Sequence, residues 1–181
     1  SDLIHKLLFT EEDFEQLSQD DKMVYLINLN DIDSKYFSPS LLQYLDQGEK
    51  DKLNERYKCV SRNRWYDVPL VKNGAVCFFK RYNQYPRLIV NEALVHTTDI
   101  AYNIRFFDGF EPKSFAFCFY NSLTLALCEY HGRFYGGGVG ELVPSEFKSL
   151  AIPYVHVDID KVDRLDQMIQ NQDDIKDIID F

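Results

Sequence analysis

The chain is 181 residues long, 45% hydrophobic and 15% aromatic, with a formal net charge of −9. This length suits one domain with small satellite pieces, and the composition excludes a disordered chain. The net charge argues against a generic polyanion binder, and no apolar run approaches the roughly 18–20 residues that a bilayer span needs.

The opening SDLIHK has no Met and no charged-then-apolar leader, so a cytoplasmic fragment of a longer chain is expected. FTEEDFEQLS predicts a first helix, with Thr10 as N-cap and Glu11, Glu12 and Asp13 in the turn where the dipole favours anions. MVYLINLN (23–30) reads as a strand. Ser38-Pro39 starts a second helix, with Leu41, Leu42 and Leu45 as its apolar stripe and Gly48 as its end.

From 57 onward the texture changes. YKCVSR, WYDVPLV, AVCFFKR, RLIVNEALV and AYNIRFF are short β-rich runs separated by turn residues, and Asn73-Gly74 is a hairpin signal. They predict a twisted antiparallel sheet over about 57–107. Residues 114–131 read as one long, mostly buried helix, with Gly132 near its C-terminus. Pro144 and Ser145 start a short helix, and IPYVHVDI is a last extended piece. Beyond about 160 the chain is acidic, with Leu165, Met168, Ile169, Gln172, Ile175 and Ile179 on one face of a surface helix. The fold class is therefore α+β. Residues 1–55 form a helical and strand lead-in, 56–155 a core, and 156–181 an acidic C-terminal helix.

Charge is concentrated. Residues 56–87 carry eight basic side chains against one acidic, whereas 1–55 carry five against thirteen. A polyanion responds to potential within a Debye length of roughly 8–10 Å, so the island can hold phosphates while the rest repels them. The alternative is that neighbouring acidic segments fold over the island and neutralise it. Within YKCVSRNRWYDVP (57–69), a strand would align Lys58, Val60, Arg62 and Arg64 on one face. Arginine can grip a guanine edge with two hydrogen bonds, and Trp65 and Tyr66 can stack on a base. Trp65 can equally be a core residue beneath the arginines.

The glycines of FYGGGVGEL allow either a tight turn or close approach of a nucleic-acid backbone. They match neither a phosphate-binding loop nor a dinucleotide fingerprint. Cys59, Cys77, Cys118 and Cys128 include no C-x-x-C pair, so buried thiols are expected and no metal site. Cys128 and His131 share a helical face, which leaves a weak case for an enzymatic site. A Gly-rich loop for S-adenosylmethionine and an N/D-P-P-Y/F segment for a flipped adenine are both missing.

Three stretches, RYKCVSRNRWYDVP, RLIVNEALVHTTDIAYNI and FYNSLTLALCEYHGRFYGGGVGELVPSEFKSLAIP, occur in that order over about 56–153. Together they resemble the C-terminal part of bacterial adenine-specific DNA methyltransferases of restriction–modification systems. That pattern runs RYKCR-x-R-x-WY-x-VP, then an Asn- and Thr-bearing stretch, then G-R-x-YGGG-x-x-EL-x-P-x-E-x-x-x-L-x-IP. This chain departs from it at Val60, where the family often has another arginine.

The resemblance implies a non-catalytic target-recognition region that binds double-stranded DNA. An upstream domain of the same chain would use S-adenosylmethionine, and the region itself would hold no cofactor. Matching positions are Lys58, Arg62, Arg64, Trp65, Tyr66, Asn91, Thr97, Thr98, Arg133, Tyr135, Gly136, Gly137 and Gly138. Lys80, Arg81 and Arg87 join them on local charge alone. The competing expectation is a protein-interaction domain that mediates subunit contacts without touching DNA.

Overall fold

The computed structural model describes residues 5–19 and 26–181. In chain order it contains β1 (Leu8–Phe9), α1 (Glu11–Gln19), a 3-10 turn (Ser34–Tyr36), α2 (Pro39–Lys50) and α3 (Tyr57–Val60). There follow β2 (Val76–Phe79), β3 (Arg81–Tyr82), β4 (Arg87–Asn91), β5 (Ala101–Ile104), α4 (Pro112–Phe119) and α5 (Ser122–His131). The chain then forms β6 (Arg133–Tyr135), β7 (Val139–Glu141), α6 (Pro144–Lys148), α7 (Ile159–Gln170) and α8 (Ile175–Asp180). The α+β class expected from the sequence is the class observed. The described residues divide into two units, one of 5–19 with 71–181 and the other of 26–70.

The larger unit is built on a four-stranded sheet of order β1-β4-β2-β5, antiparallel except for the parallel β1–β4 pair. Its core centres on Phe78, which is fully buried with Phe119 and Phe147 ring centroids at 6.0 Å and 4.4 Å. Leu88 and Val90 of β4 and Val162, Leu165 and Ile169 of α7 complete it. Burial of these apolar side chains is the main force holding the layers together. Where the main chain enters β1, the N–H groups of Leu7 and Leu8 donate to the buried Asp166 carboxylate at 2.6 Å and 3.2 Å. Asp166 thus satisfies donors that a short strand leaves open.

Lys80 is the switch between two sheets. Its N–H donates to Ile100 O and its carbonyl accepts from Leu142 N–H. The next two residues, β3, enter a second sheet of order β3-β7-β6. There the Tyr82 ring lies over Gly140, where any Cβ would sit 2.5 Å from two ring carbons.

Several expectations are corrected. YKCVSR is no strand: Tyr57–Val60 is a single helical turn, and 61–71 runs through turns and loop. The segment has no sheet edge to pair with, so its β propensity is overridden and its backbone groups bond locally. The sheet expected over 57–107 begins only at Val76. Gly74 is no hairpin turn either, because its missing side chain makes room for the Ile104 backbone, 2.6 Å from where a Cβ would stand.

The single helix expected over 114–131 is two helices. Asn121 breaks it, accepting from Thr124 N–H at 2.9 Å as the N-cap of α5 and donating to Cys118 O at 2.6 Å. Only Thr124 and Cys128 of α5 are buried. α2 runs past Gly48 to Lys50. The acidic tail forms two helices, parted where Gln172 takes a φ of 59°, and the stripe of α7 lies in the core rather than at a surface. Of the strand expected at 23–30, residues 23–25 lie outside the described residues and 26–30 form no strand. IPYVHVDI forms no strand until α7 begins. Ser38, Pro144 and Thr10 start or cap helices as expected.

Candidate nucleic-acid interface

The smaller unit has its own core of Leu29, Phe37 and Leu45, against which Leu41, Trp65 and Tyr66 pack. Trp65 is half-buried, its Nε1–H donating to Glu49 at 3.1 Å and its ring lying where Gly48 leaves space. Tyr66 meets the Phe37 edge at 5.9 Å and carries the Arg64 guanidinium over its face at 5.1 Å.

Arg64 ties the unit together. Its Nη1 donates to Ile32 O at 2.6 Å, its Nη2 to Leu29 O at 2.7 Å, and its Nε to Asp67 at 2.9 Å. Asp67 is held below the usual carboxylate range chiefly by that guanidinium. Asn30 adds two bonds to the backbone of Val68, at 2.7 Å and 3.0 Å. The Arg64 side chain is therefore spent on internal acceptors.

Beside this keystone opens a cleft of about 1080 Å³, lined by Tyr57, Lys58, Arg62, Arg64, Asp31, Asp33 and neighbouring residues. Lys58 is exposed and has no ion-pair partner among the described residues, and Arg62 donates to Trp65 O at 3.3 Å. Tyr57 is 91% exposed. The cleft offers two cations without ion pairs and one open aromatic face, with Asp31, Asp33 and Asp67 in the same lining.

In the larger unit, the three-stranded sheet places Arg81, Glu141 and Arg133 in one cross-strand row. Directly opposed residues point to the same side of a sheet. Arg81 donates through Nε to Glu141 at 2.8 Å, and Arg133 through Nε to Glu146 at 2.7 Å. The two arginine side chains remain 65% and 58% exposed. Tyr135 stands two residues beyond Arg133 on the same face, and Gly136–Gly138 form the exposed turn beyond it. Gly137 and Gly138 take φ of 87° and 79°, which a side chain would resist. Gly136 has neither a positive φ nor a close neighbour among the described residues.

Arg87 borders a polar pocket of about 470 Å³, with both Nη atoms 3.4 Å from His5 Nδ1 and its guanidinium 5.2 Å from the Tyr85 ring centre. Lys80 makes no ion pair with a described residue. Asn91 is buried, bonding Gly74 O, Val95 O and Val95 N–H, and so braces the turn after β4. Thr97 accepts from Asn103 at 2.8 Å, whereas Thr98 is exposed. Glu141 and Glu146 occupy the EL and P-x-E positions of the family pattern, but sequence reasoning passed them over because their pairing with Arg81 and Arg133 is invisible along the chain. Arg56, which opens the family pattern, and Lys72, which lies outside it, were not among the expected contacts, yet both are exposed and without ion pairs among the described residues.

Cys128 is fully buried, and burial pushes its thiol up to about 12, so no thiolate nucleophile is available there. Among the described residues, no group of His, Cys, Asp and Glu is arranged to hold a metal, and no helix is long and apolar enough to cross a membrane.

A family model described as "Type II methyltransferase M.Eco57I, C-terminal domain" matches residues 1–181. The Type II methyltransferase M.AccI of Acinetobacter calcoaceticus is 33% identical over 85 residues, which make up 47% of this chain and 15% of that protein. No solved structure matches.

Proposed function

The chain belongs to the family of Type II methyltransferase C-terminal domains, and from that premise we propose that it is the DNA target-recognition domain of an S-adenosylmethionine-dependent, adenine-specific DNA methyltransferase. It binds duplex DNA and presents it to a catalytic domain of the same chain. It takes no cofactor itself.

The observation that supports this reading is electrostatic. Arg56, Lys58, Arg62, Lys72 and Lys80 make no ion pair among the described residues, although the chain as a whole carries −9. Three of these cations stand in the smaller unit and two in the larger, so each unit offers positive charge that no described carboxylate pairs with. The DNA contacts are Arg56, Lys58, Arg62, Lys72, Lys80, Arg81, Arg87, Thr98, Arg133 and Tyr135, with the backbone of Gly136, Gly137 and Gly138. Arg64, Trp65, Tyr66, Asn91 and Thr97 shape the surface from beneath.

The test is fluorescence anisotropy of a labelled duplex with the chain and its Lys58→Ala/Arg62→Ala variant. The expected result is weaker binding at an unchanged thermal midpoint. Equal affinity per folded molecule would remove the cleft from the interface. Exposed apolar side chains favour a second contact, with the catalytic domain: Phe107 is 87% and Phe110 49% exposed, the latter against Tyr154 at 4.8 Å. Complementation of the separately expressed catalytic domain by this chain, and its loss in Phe107→Ser, test that role.

A further inference from the structure

The two arginines of the small sheet differ from Arg64 in which nitrogens they commit. Arg64 engages Nε and both Nη atoms. Arg81 and Arg133 each engage Nε alone, with a glutamate behind it, and their Nη groups make no hydrogen bond to a described residue. Both glutamates are well anchored. Glu141 is buried in β7, its side chain 12% exposed. Glu146 also accepts the Val143 N–H at 2.8 Å, with its side chain 17% exposed. A carboxylate gripping Nε fixes the plane of the guanidinium and turns its terminal fork away from itself.

Given the DNA-binding reading above, we propose that Glu141 and Glu146 are positioning residues that aim Arg81 and Arg133 at base edges, and that the two arginines read guanines in the major groove. Guanine offers O6 and N7 as a side-by-side pair of acceptors, the match for an outward Nη fork. A phosphate oxygen offers a similar acceptor without needing a fixed plane. A protein seeking phosphate alone gains nothing from carboxylates placed next to the contact, since they repel the same polyanion. β3 and β6 flank β7, so the two arginines stand on strands about 10 Å apart. At roughly 3.4 Å per base pair that spans about three steps. The gap between them is closed on the protein side by Glu141.

The glutamates give the proposal its sign. If they only repel DNA, neutralising them strengthens binding to every sequence and alters no preference. If they aim the arginines, neutralising them weakens the preference for guanine at one position while general affinity holds or rises. The experiment incubates the 181-residue chain with a random-sequence duplex pool and sequences the retained DNA. Wild type is compared with Arg81→Lys, Arg133→Lys, Glu141→Gln and Glu146→Gln. The lysine variants keep the charge and lose the fork.

Wild type should enrich guanine at two positions. Arg133→Lys and Glu146→Gln should lose the same one, and Arg81→Lys and Glu141→Gln the other, each by about 5- to 150-fold. 7-Deazaguanine at those positions should reproduce the losses. Variants with shifted melting are read by preference among bound sequences, which does not depend on the folded fraction. Affinity that falls evenly across all sequences would mean phosphate contact and would overturn the assignment while leaving DNA binding intact. Glutamine variants with wild-type preference would overturn it as well. A wild-type chain that retains no duplex would instead remove the DNA-binding premise.

Discussion

Substituting Gly48 by Ala tests whether the tryptophan of the cation-rich segment is a packing residue. A Cβ at position 48 would stand 2.5 Å from Cη2 and 3.1 Å from Cζ2 of Trp65. Carbon atoms rest about 3.5–4.0 Å apart, so the indole must move by about 1 Å. It has little room: Nε1 is bonded to Glu49 at 3.1 Å, and the ring meets Tyr66 edge-on at 5.6 Å. Overpacking of this kind costs about 1–3 kcal/mol. Alanine in a helix interior recovers about 0.8–1.0 kcal/mol over glycine. For a rigid bicyclic ring pinned on two sides the upper half of the range applies, which leaves a net loss of about 1–2 kcal/mol. Trp65 is the single tryptophan, so its emission during urea unfolding reports the smaller unit alone. With a slope of about 1 kcal/mol per molar for so small a unit, the midpoint should fall by about 1 M or more. A midpoint that rises, as helix propensity alone dictates, would show that the indole does not occupy that space and is available to stack on a base.

Asp166→Asn should destabilise the larger unit by about 1.5–3 kcal/mol, because a charged acceptor for Leu7 and Leu8 N–H becomes a neutral one; guanidinium unfolding followed by circular dichroism measures it. Gly138→Ala should lower stability by about 1–2 kcal/mol, since its φ of 79° is left-handed, whereas Gly136→Ala should leave the thermal midpoint unchanged. The Glu146 carboxyl is held below its ordinary 4.5, first by the Val143 N–H and then by the Arg133 guanidinium. A carboxylate depressed in the folded state stabilises it above the unfolded value and loses that contribution as pH falls through the folded one. Thermal midpoints should therefore drop as pH is lowered below about 4.5, and Glu146→Gln should flatten that part of the profile.

Features that depend on local chemistry could be read along the chain. Caps and breakers at Thr10, Ser38 and Pro144 start or cap helices as their chemistry dictates, and the β-branched and aromatic runs at 76–79, 87–91 and 101–104 become strands. Most of the misreadings turn on a partner distant in sequence, present or missing. Gly48 and Gly74 look like punctuation but exist because Trp65 and the Ile104 backbone come close to them. Tyr57–Val60 has strand-forming residues and no edge to join. Asn121 is the local exception: it splits an apolar run because its side chain caps α5, with partners only three residues away. At the interface the same limit holds. The cluster of arginines was visible, but Arg64 differs from Arg81 only in its surroundings: two backbone carbonyls from the 29–32 loop as well as Asp67, against a single glutamate on Nε.

The salt dependence of duplex binding bears most directly on the idea that uncommitted cations on an acidic body hold DNA. Each neutralised phosphate contributes about −0.9 to the slope of log K against log salt. Engagement of Arg56, Lys58, Arg62, Lys72 and Lys80 gives a slope of about −4.5. A slope near zero, or no binding even at the lowest salt, would contradict the account.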